Sequence, residues 1–155
     1  MWRSVKSYLL SISAAYVLGS IFATQFTLSN LSDFSFQISL SDRLFATGQD
    51  IISLAGSYLP LIALALFVSF VFASFLNRFD VLTRLYLFAA AGFFALVCLH
   101  LIMKAVLGLT GISATRTISG LLSQGLAGAV GGMCYAYLSG AEKKKLSPHH
   151  HIGNQ

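Results

Sequence analysis

The sequence predicts an all-α integral membrane protein with four transmembrane helices, and two observations support this fold class. Hydrophobic residues make up 56% of the 155 residues and charged residues only 10%, with a mean hydropathy of +0.77. Soluble domains carry about 25% charged residues, so this chain has too few to cover a soluble surface. The charges also stand in clusters that long uncharged stretches separate. This composition excludes an ordinary soluble enzyme and a disordered chain.

The uncharged stretches set the number of helices. Four of them contain 26, 27, 19 and 25 residues, and a helix needs about 20 apolar residues to cross a bilayer. The predicted spans are residues 7–25, 57–76, 85–105 and 117–138. They define a transmembrane domain over residues 1–141, and residues 142–155 form a polar tail.

The first segment has two interpretations. A basic start followed by an apolar run is also typical of a secretory signal peptide. However, the run is longer than the usual signal-peptide core, and Ile21 and Phe22 before Ala23 do not form a small-residue cleavage motif. We therefore expect residues 1–25 to be retained as the first span, with cleavage as the alternative.

The distribution of lysine and arginine predicts the orientation. With the N-terminus inside, seven of these residues lie on the inner side and three on the outer side. The inner group is Arg3, Lys6, Arg78, Arg84, Lys143, Lys144 and Lys145, and the outer group is Arg43, Lys104 and Arg116. Positive charge accumulates in cytoplasmic loops, so both termini are predicted to be cytoplasmic. The net charge of +5 then reflects topology, and nucleic-acid binding is not expected.

The segment between the first two spans is predicted to be an amphipathic outer loop. Its first part alternates apolar and polar residues, which predicts a half-buried extended segment. The alternating apolar positions are Phe34, Phe36, Ile38 and Leu40. From Ser41 or Asp42, either of which can cap a helix, the apolar spacing predicts an amphipathic helix. Its apolar residues are Leu44, Phe45, Ile51, Ile52 and Leu54. The loop either rests on the membrane surface or docks a partner protein.

The fourth span carries a row of small residues at every fourth position. The row consists of Gly120, Gln124, Gly128, Gly132, Ala136 and Gly140, with Ser123, Ala127 and Gly131 in a second row beside it. Small residues at this spacing let helix backbones approach closely in lipid. The row therefore predicts packing either within the chain or against another subunit. Gln124 needs a hydrogen-bond partner within the bundle.

A basic cluster is predicted at the outer ends of the third and fourth spans. His100 and Lys104 are four residues apart and share a helix face, and Arg116 opens the fourth span. Asp50 is the nearest outer acid in sequence and the expected protein partner; otherwise a lipid phosphate or another anion is expected. The alternative is that Lys104 and Arg116 are terminal anchors that extend to the interface.

Other residues predict little chemistry. Cys98 and Cys134 are expected at different depths, as small buried apolar residues and not as a disulfide. The tail contains His149–His151, for which a flexible cytoplasmic segment is expected and no metal site. No span contains a carboxylate, and no known catalytic or phosphate-binding motif is present. We expect no enzyme activity and no cofactor.

These observations leave two functional hypotheses. The first is a small non-catalytic protein of a bacterial inner membrane that self-assembles or serves as an accessory subunit of a membrane complex. The second is a transport or binding protein for a lipid, an anion or a small molecule, with the basic outer cluster as its site.

Overall fold

The computed structural model describes residues 2–32, 39–76, 81–107, 115 and 117–145. These residues form five α-helices and contain no strand, which confirms the all-α class. The helices are α1 (Trp2–Ser32), α2 (Leu40–Ser53), α3 (Tyr58–Leu76), α4 (Val81–Leu107) and α5 (Ile118–Lys145). The last helix extends four residues into the predicted tail, and residues 146–155 lie outside the described part.

Three of these helices are long and apolar enough to cross a membrane. The candidate spans are Ser4–Ser29 in α1, Tyr58–Leu76 in α3 and Leu82–Val106 in α4, and they match the first three predicted spans within a few residues. Helix α5 is not in this set, because six glycines and several polar residues lower its hydropathy. The span predicted at 117–138 is therefore not confirmed.

The four long helices pack around a common core, in which α4 is antiparallel to α3 and to α5, and α1 is antiparallel to α5. Helix α5 packs between α4 and α1, and α3 packs against α4 and α1. The Ser69 hydroxyl of α3 donates a hydrogen bond to the Ala91 carbonyl of α4 at 2.6 Å. The Ser11 hydroxyl of α1 donates to the Gly131 carbonyl of α5. We call the end of the bundle that carries α2 the α2 end, and the end that carries the first turns of α1 the opposite end.

Helix α1 continues beyond the predicted first span. Residues 26–32 are helical, and Leu40 is the first residue of α2, so the prediction of an extended segment is wrong at these positions. The remaining alternating positions, Phe34, Phe36 and Ile38, lie outside the described residues.

Helix α2 lies where an amphipathic helix is predicted, but Ser39 is its N-cap instead of Ser41 or Asp42. The Ser39 hydroxyl accepts from the Asp42 amide at 3.3 Å, and the Asp42 carboxylate accepts from the Ser39 amide at 3.2 Å. This reciprocal pair forms a capping box. Ser39 precedes the apolar residues from which the helix is predicted. Because it caps the helix, α2 begins earlier than the spacing of those residues indicates.

The opposite end contains an aromatic core. The rings of Phe70 and Tyr135 stack with centroids 4.8 Å apart, and Phe88 contacts both at 5.6 and 5.2 Å. Arg84 lies over the Phe88 ring at 5.5 Å and donates to the Ser139 hydroxyl at 2.6 Å. These contacts hold the start of α4 against the end of α5.

Candidate functional site

A chain of buried polar groups connects the four long helices near the α2 end. We call it the polar chain, and its side chains are His100 of α4, Tyr58 of α3 and Gln124 of α5. Both of its ends are backbone carbonyls, those of Leu96 in α4 and Gly19 in α1. Gln124 has no exposed surface and His100 is 4% exposed. Buried polar groups of this kind are rare and functionally informative within membrane spans.

Hydrogen-bond distances along the polar chain are short and regular. His100 Nδ1 lies 2.7 Å from the Leu96 carbonyl oxygen, and Nε2 lies 3.1 Å from the Tyr58 hydroxyl. The same hydroxyl lies 3.0 Å from Gln124 Oε1. Gln124 Nε2 donates to the Gly19 carbonyl at 2.9 Å. The partner that the sequence requires for Gln124 is therefore Tyr58 on one side and the α1 backbone on the other.

Local sequence explains how these groups meet. The Tyr58 amide donates to the Leu54 carbonyl, which places the tyrosine at the start of α3 just after α2. Gly19 leaves room for the buried amide, since a β-carbon there would lie 2.9 Å from Gln124 Oε1. The Tyr16 ring packs 6.2 Å from the Tyr58 ring and closes the α1 side.

A cavity of about 220 Å³ lies beside the polar chain, between the end of α4 and the start of α5. It is lined by His100, Leu101, Lys104, Thr115, Thr117, Ile118 and Leu121, and we call it the outer cavity because the predicted orientation places this end on the outer side. The predicted pair, His100 and Lys104, is thus brought to one cavity. The Thr117 hydroxyl accepts from the Gly120 amide at 3.2 Å and so caps the first turn of α5.

Two other residues of the predicted basic cluster have different outcomes. Asp50 does not line the outer cavity; its carboxylate accepts from the Thr24 hydroxyl of α1 at 2.7 Å. Among the described residues Asp50 therefore does not join His100 and Lys104, because α2 packs on α1, and its pairing with Arg116 stays a prediction. Arg116 lies outside the described residues, so its convergence with His100 and Lys104 stays a prediction.

The small-residue row of α5 is occupied within the chain. A β-carbon on Gly128 would overlap the Gly92 carbonyl of α4, and one on Gly132 would overlap the Phe88 carbonyl. In the second row, a β-carbon on Gly131 would lie 2.9 Å from the Ala15 β-carbon of α1. Gly120, Gln124 and Ala136 are buried as well. Self-association through this row therefore loses its support.

The two cysteines are free. Cys134 is half-buried, but Cys98 is exposed on the outside of α4, so the expectation that both are buried is wrong for Cys98. The described residues contain no group of three or more His, Cys, Asp or Glu side chains that could hold a metal ion.

A second, larger cavity of about 410 Å³ lies at the opposite end. Apolar and aromatic side chains dominate its lining, which comes from α1, α3 and α5, and none of the lining residues is charged. Of these two cavities, only the outer cavity has a basic lining, from His100 and Lys104.

Sequence reasoning missed Tyr58, Gly19 and Leu96 as members of the polar chain. The available signal was the small number of polar residues in the spans, because a buried glutamine and a buried histidine each need partners. Comparison of the chain with protein families, with curated proteins and with solved structures finds no match.

Proposed function

We propose that this chain is a four-span protein of a bacterial inner membrane, with both termini cytoplasmic, that binds an anionic lipid headgroup or another small phosphate-type anion in the outer cavity. The observation that carries the proposal is the joint lining of that cavity by Lys104, His100 and two threonines. The orientation rests on the seven-to-three distribution of lysine and arginine.

The surface of α5 supports a fourth span. From Leu122 to Tyr137, every exposed side chain of this helix is apolar or aromatic. The glycines of this stretch pack on α1 and α4, and Gln124 bonds to α1 and α3, so the mean hydropathy of the whole helix underestimates its fit to lipid. From Ile118 to Tyr137 the helix is about 28 Å long, close to the hydrocarbon thickness of about 30 Å.

The chemistry of the outer cavity favours an anion. Lys104 supplies a cation to its lining, and Thr115 and Thr117 add polar hydroxyl groups to the same wall. The start of α5 faces the same space, and helix N-termini favour negative charge. Arg116 stands between the two threonines in sequence, which adds a second cation to this segment.

Lipid retention tests the proposal. The protein is placed in bilayers of phosphatidylglycerol and phosphatidylcholine, and co-purifying lipid is measured by native mass spectrometry. We expect Lys104→Ala to reduce retention of phosphatidylglycerol by about five-fold, since an exposed ion contact contributes about 1 kcal/mol. Arg43→Ala is the matched control, because this cation of α2 donates to Gln25 at 3.1 Å and does not line the cavity.

Three outcomes separate the sources of the anion. Selective loss in Lys104→Ala supports a headgroup site. Stabilisation of the lipid-free protein by inorganic phosphate, lost in the same variant, supports a free anion. Equal loss in both variants, or no loss, contradicts an anion site at the outer cavity.

A second candidate function is that of an accessory subunit, and the exposed face of α2 favours it. Leu40, Leu44, Phe45 and Ile52 are each 70–80% exposed, while Arg43 and Asp50 of α2 bond to Gln25 and Thr24 of α1. This face either lies in the membrane interface or contacts a partner subunit. A stable heteromeric mass in mild detergent, lost in Leu44→Ser but retained in Gly48→Ser, would support the subunit; a monomeric mass for all three proteins would oppose it.

A further inference from the structure

We propose that His100 is a proton-binding site, and that the polar chain makes all of its hydrogen bonds only when this histidine carries a second proton. The inference rests on the order of donors and acceptors along the chain. It goes beyond the proposed anion site and does not require any anion to be bound.

The two ends of the polar chain fix the first two groups. A backbone carbonyl only accepts hydrogen bonds, so the Leu96 carbonyl requires a proton on His100 Nδ1. In the same way the Gly19 carbonyl requires the NH₂ group of Gln124, which leaves Oε1 directed at Tyr58. These assignments follow from the partners, as tautomers and amide orientations generally must.

The middle of the polar chain is then one proton short. Gln124 Oε1 only accepts, so the single Tyr58 hydroxyl proton is used in the contact with it. The contact between the Tyr58 oxygen and His100 Nε2 needs another proton, which must be on Nε2. A neutral imidazole carries only one proton, and Nδ1 already holds it.

No neutral arrangement removes this deficit. If Tyr58 donates to His100, its oxygen faces Gln124 Oε1 with no proton between them. If His100 adopts its other neutral tautomer, Nδ1 and the Leu96 carbonyl become two facing acceptors. If the Gln124 amide is rotated so that its oxygen and nitrogen exchange places, its oxygen faces the Gly19 carbonyl, and these are again two acceptors. An unsatisfied buried acceptor is costly. Only the imidazolium form of His100 provides a donor at every one of these contacts.

The outer cavity gives a proton access to His100. Its volume of about 220 Å³ exceeds the space of one water, about 30 Å³, several-fold. The groups that face His100 are Tyr58 from α3 and, through the cavity, Lys104 on its own helix and Thr117 at the start of α5. From α1, Tyr16 lies behind Tyr58. Among the described residues no carboxylate contacts the ring nitrogens, so Lys104 is the facing charge, and it opposes protonation.

Protonation of His100 would therefore control the hydrogen bonds between helices. In the doubly protonated form, Tyr58 of α3 binds α4 through His100 and α5 through Gln124 at the same time. In the neutral form it can donate to only one of them. The bound proton thus allows α3, α4 and α5 to be linked by hydrogen bonds near the α2 end.

The test is a nitrogen-15 NMR titration of histidine-labelled protein in zwitterionic lipid without added anions. His100→Asn identifies the His100 signals against those of the three other histidines. We expect both His100 nitrogens to become protonated within the titrated range. We expect the midpoint to move to lower pH in Tyr58→Phe, which removes the acceptor for Nε2–H.

A remote variant separates this inference from simple packing. In Gln124→Leu the Tyr58 proton is free to donate to neutral His100, so the midpoint should also fall, by on the order of one pH unit or ten-fold in proton affinity. Lys104→Met should move the midpoint to higher pH. An unchanged or raised midpoint in both Tyr58→Phe and Gln124→Leu, or a His100 that stays neutral throughout, would overturn the inference. Neither result affects the headgroup proposal, which is measured by lipid retention.

Discussion

Replacing Gly128 by alanine tests whether α4 and α5 are in backbone contact. The added β-carbon would overlap the Gly92 carbonyl and lie 2.9 Å from the Leu96 side chain. A helix backbone cannot rotate away as a side chain can, so the two helices must separate along the contact. Overpacking of this kind costs about 1–3 kcal/mol, and the lost close packing has no hydrophobic compensation in lipid.

Three further glycines give a ranked series with identical chemistry. Gly132→Ala should cost as much as Gly128→Ala, because its β-carbon would overlap the Phe88 carbonyl. Gly125→Ala should cost less, because its new neighbour is the Phe93 ring, 2.6 Å away, which can shift. Gly48→Ala has nothing within 4 Å and lies inside α2, so it should gain roughly 0.5–1 kcal/mol of helix propensity.

Reversible unfolding in mixed detergent micelles, followed by circular dichroism, measures the series. The expected order of stability is Gly48→Ala first, then wild type, Gly125→Ala, and finally Gly128→Ala together with Gly132→Ala. Equal stability of Gly128→Ala and Gly48→Ala would refute the close contact between α4 and α5.

Three other predictions follow from the same structure. A reporter fused after Gln155 should be active only if it functions in the cytoplasm, as the bias in lysine and arginine requires; activity of a periplasmic reporter would contradict the orientation. Ser39→Ala should lower hydrogen-exchange protection of the α2 amides about five-fold, since an N-cap contributes about 1 kcal/mol; unchanged protection would mean that the capping box does not hold the helix. Arg84→Gln should lower stability by about 1 kcal/mol through loss of its contacts with Ser139 and Phe88, and thermal unfolding in detergent should show no loss if those contacts are unimportant.

The sequence alone predicts the all-α class and three of the long helices well, because the uncharged stretches in α1, α3 and α4 are long and apolar enough to cross a bilayer. It also predicts that α5 packs through small residues, but the row Gly128–Gly132 fits a contact within the chain and one between subunits equally. The close approach of Gly92 and Phe88 in α4 distinguishes the two, and nothing in the local sequence of α4 indicates which helix these residues face.

The candidate site is predicted in part. The spacing of His100 and Lys104 on one helix face is enough to place both at one cavity. The sequence suggests Asp50 as the partner of the basic cluster because it is the nearest outer acid along the chain. In the structure α2 folds back on α1 and directs that carboxylate to Thr24. Tyr58 enters the site through its position at the start of α3, and its partners lie 42 and 66 residues away in the chain. Hydrogen bonds over such separations depend on helix packing, which periodicity does not encode.

The proposed four-span topology depends on α5 crossing the bilayer, and the environment of Leu126 tests that requirement most directly. This exposed residue lies near the middle of the apolar face of α5. A nitroxide at Leu126→Cys, in protein with Cys98 and Cys134 replaced by serine and reconstituted in bilayers, reports its accessibility to oxygen and to a water-soluble relaxation agent. If α5 is a fourth span, access to oxygen at this position is high and access to the water-soluble agent is almost absent. Free access to the water-soluble agent at this position would contradict a fourth span.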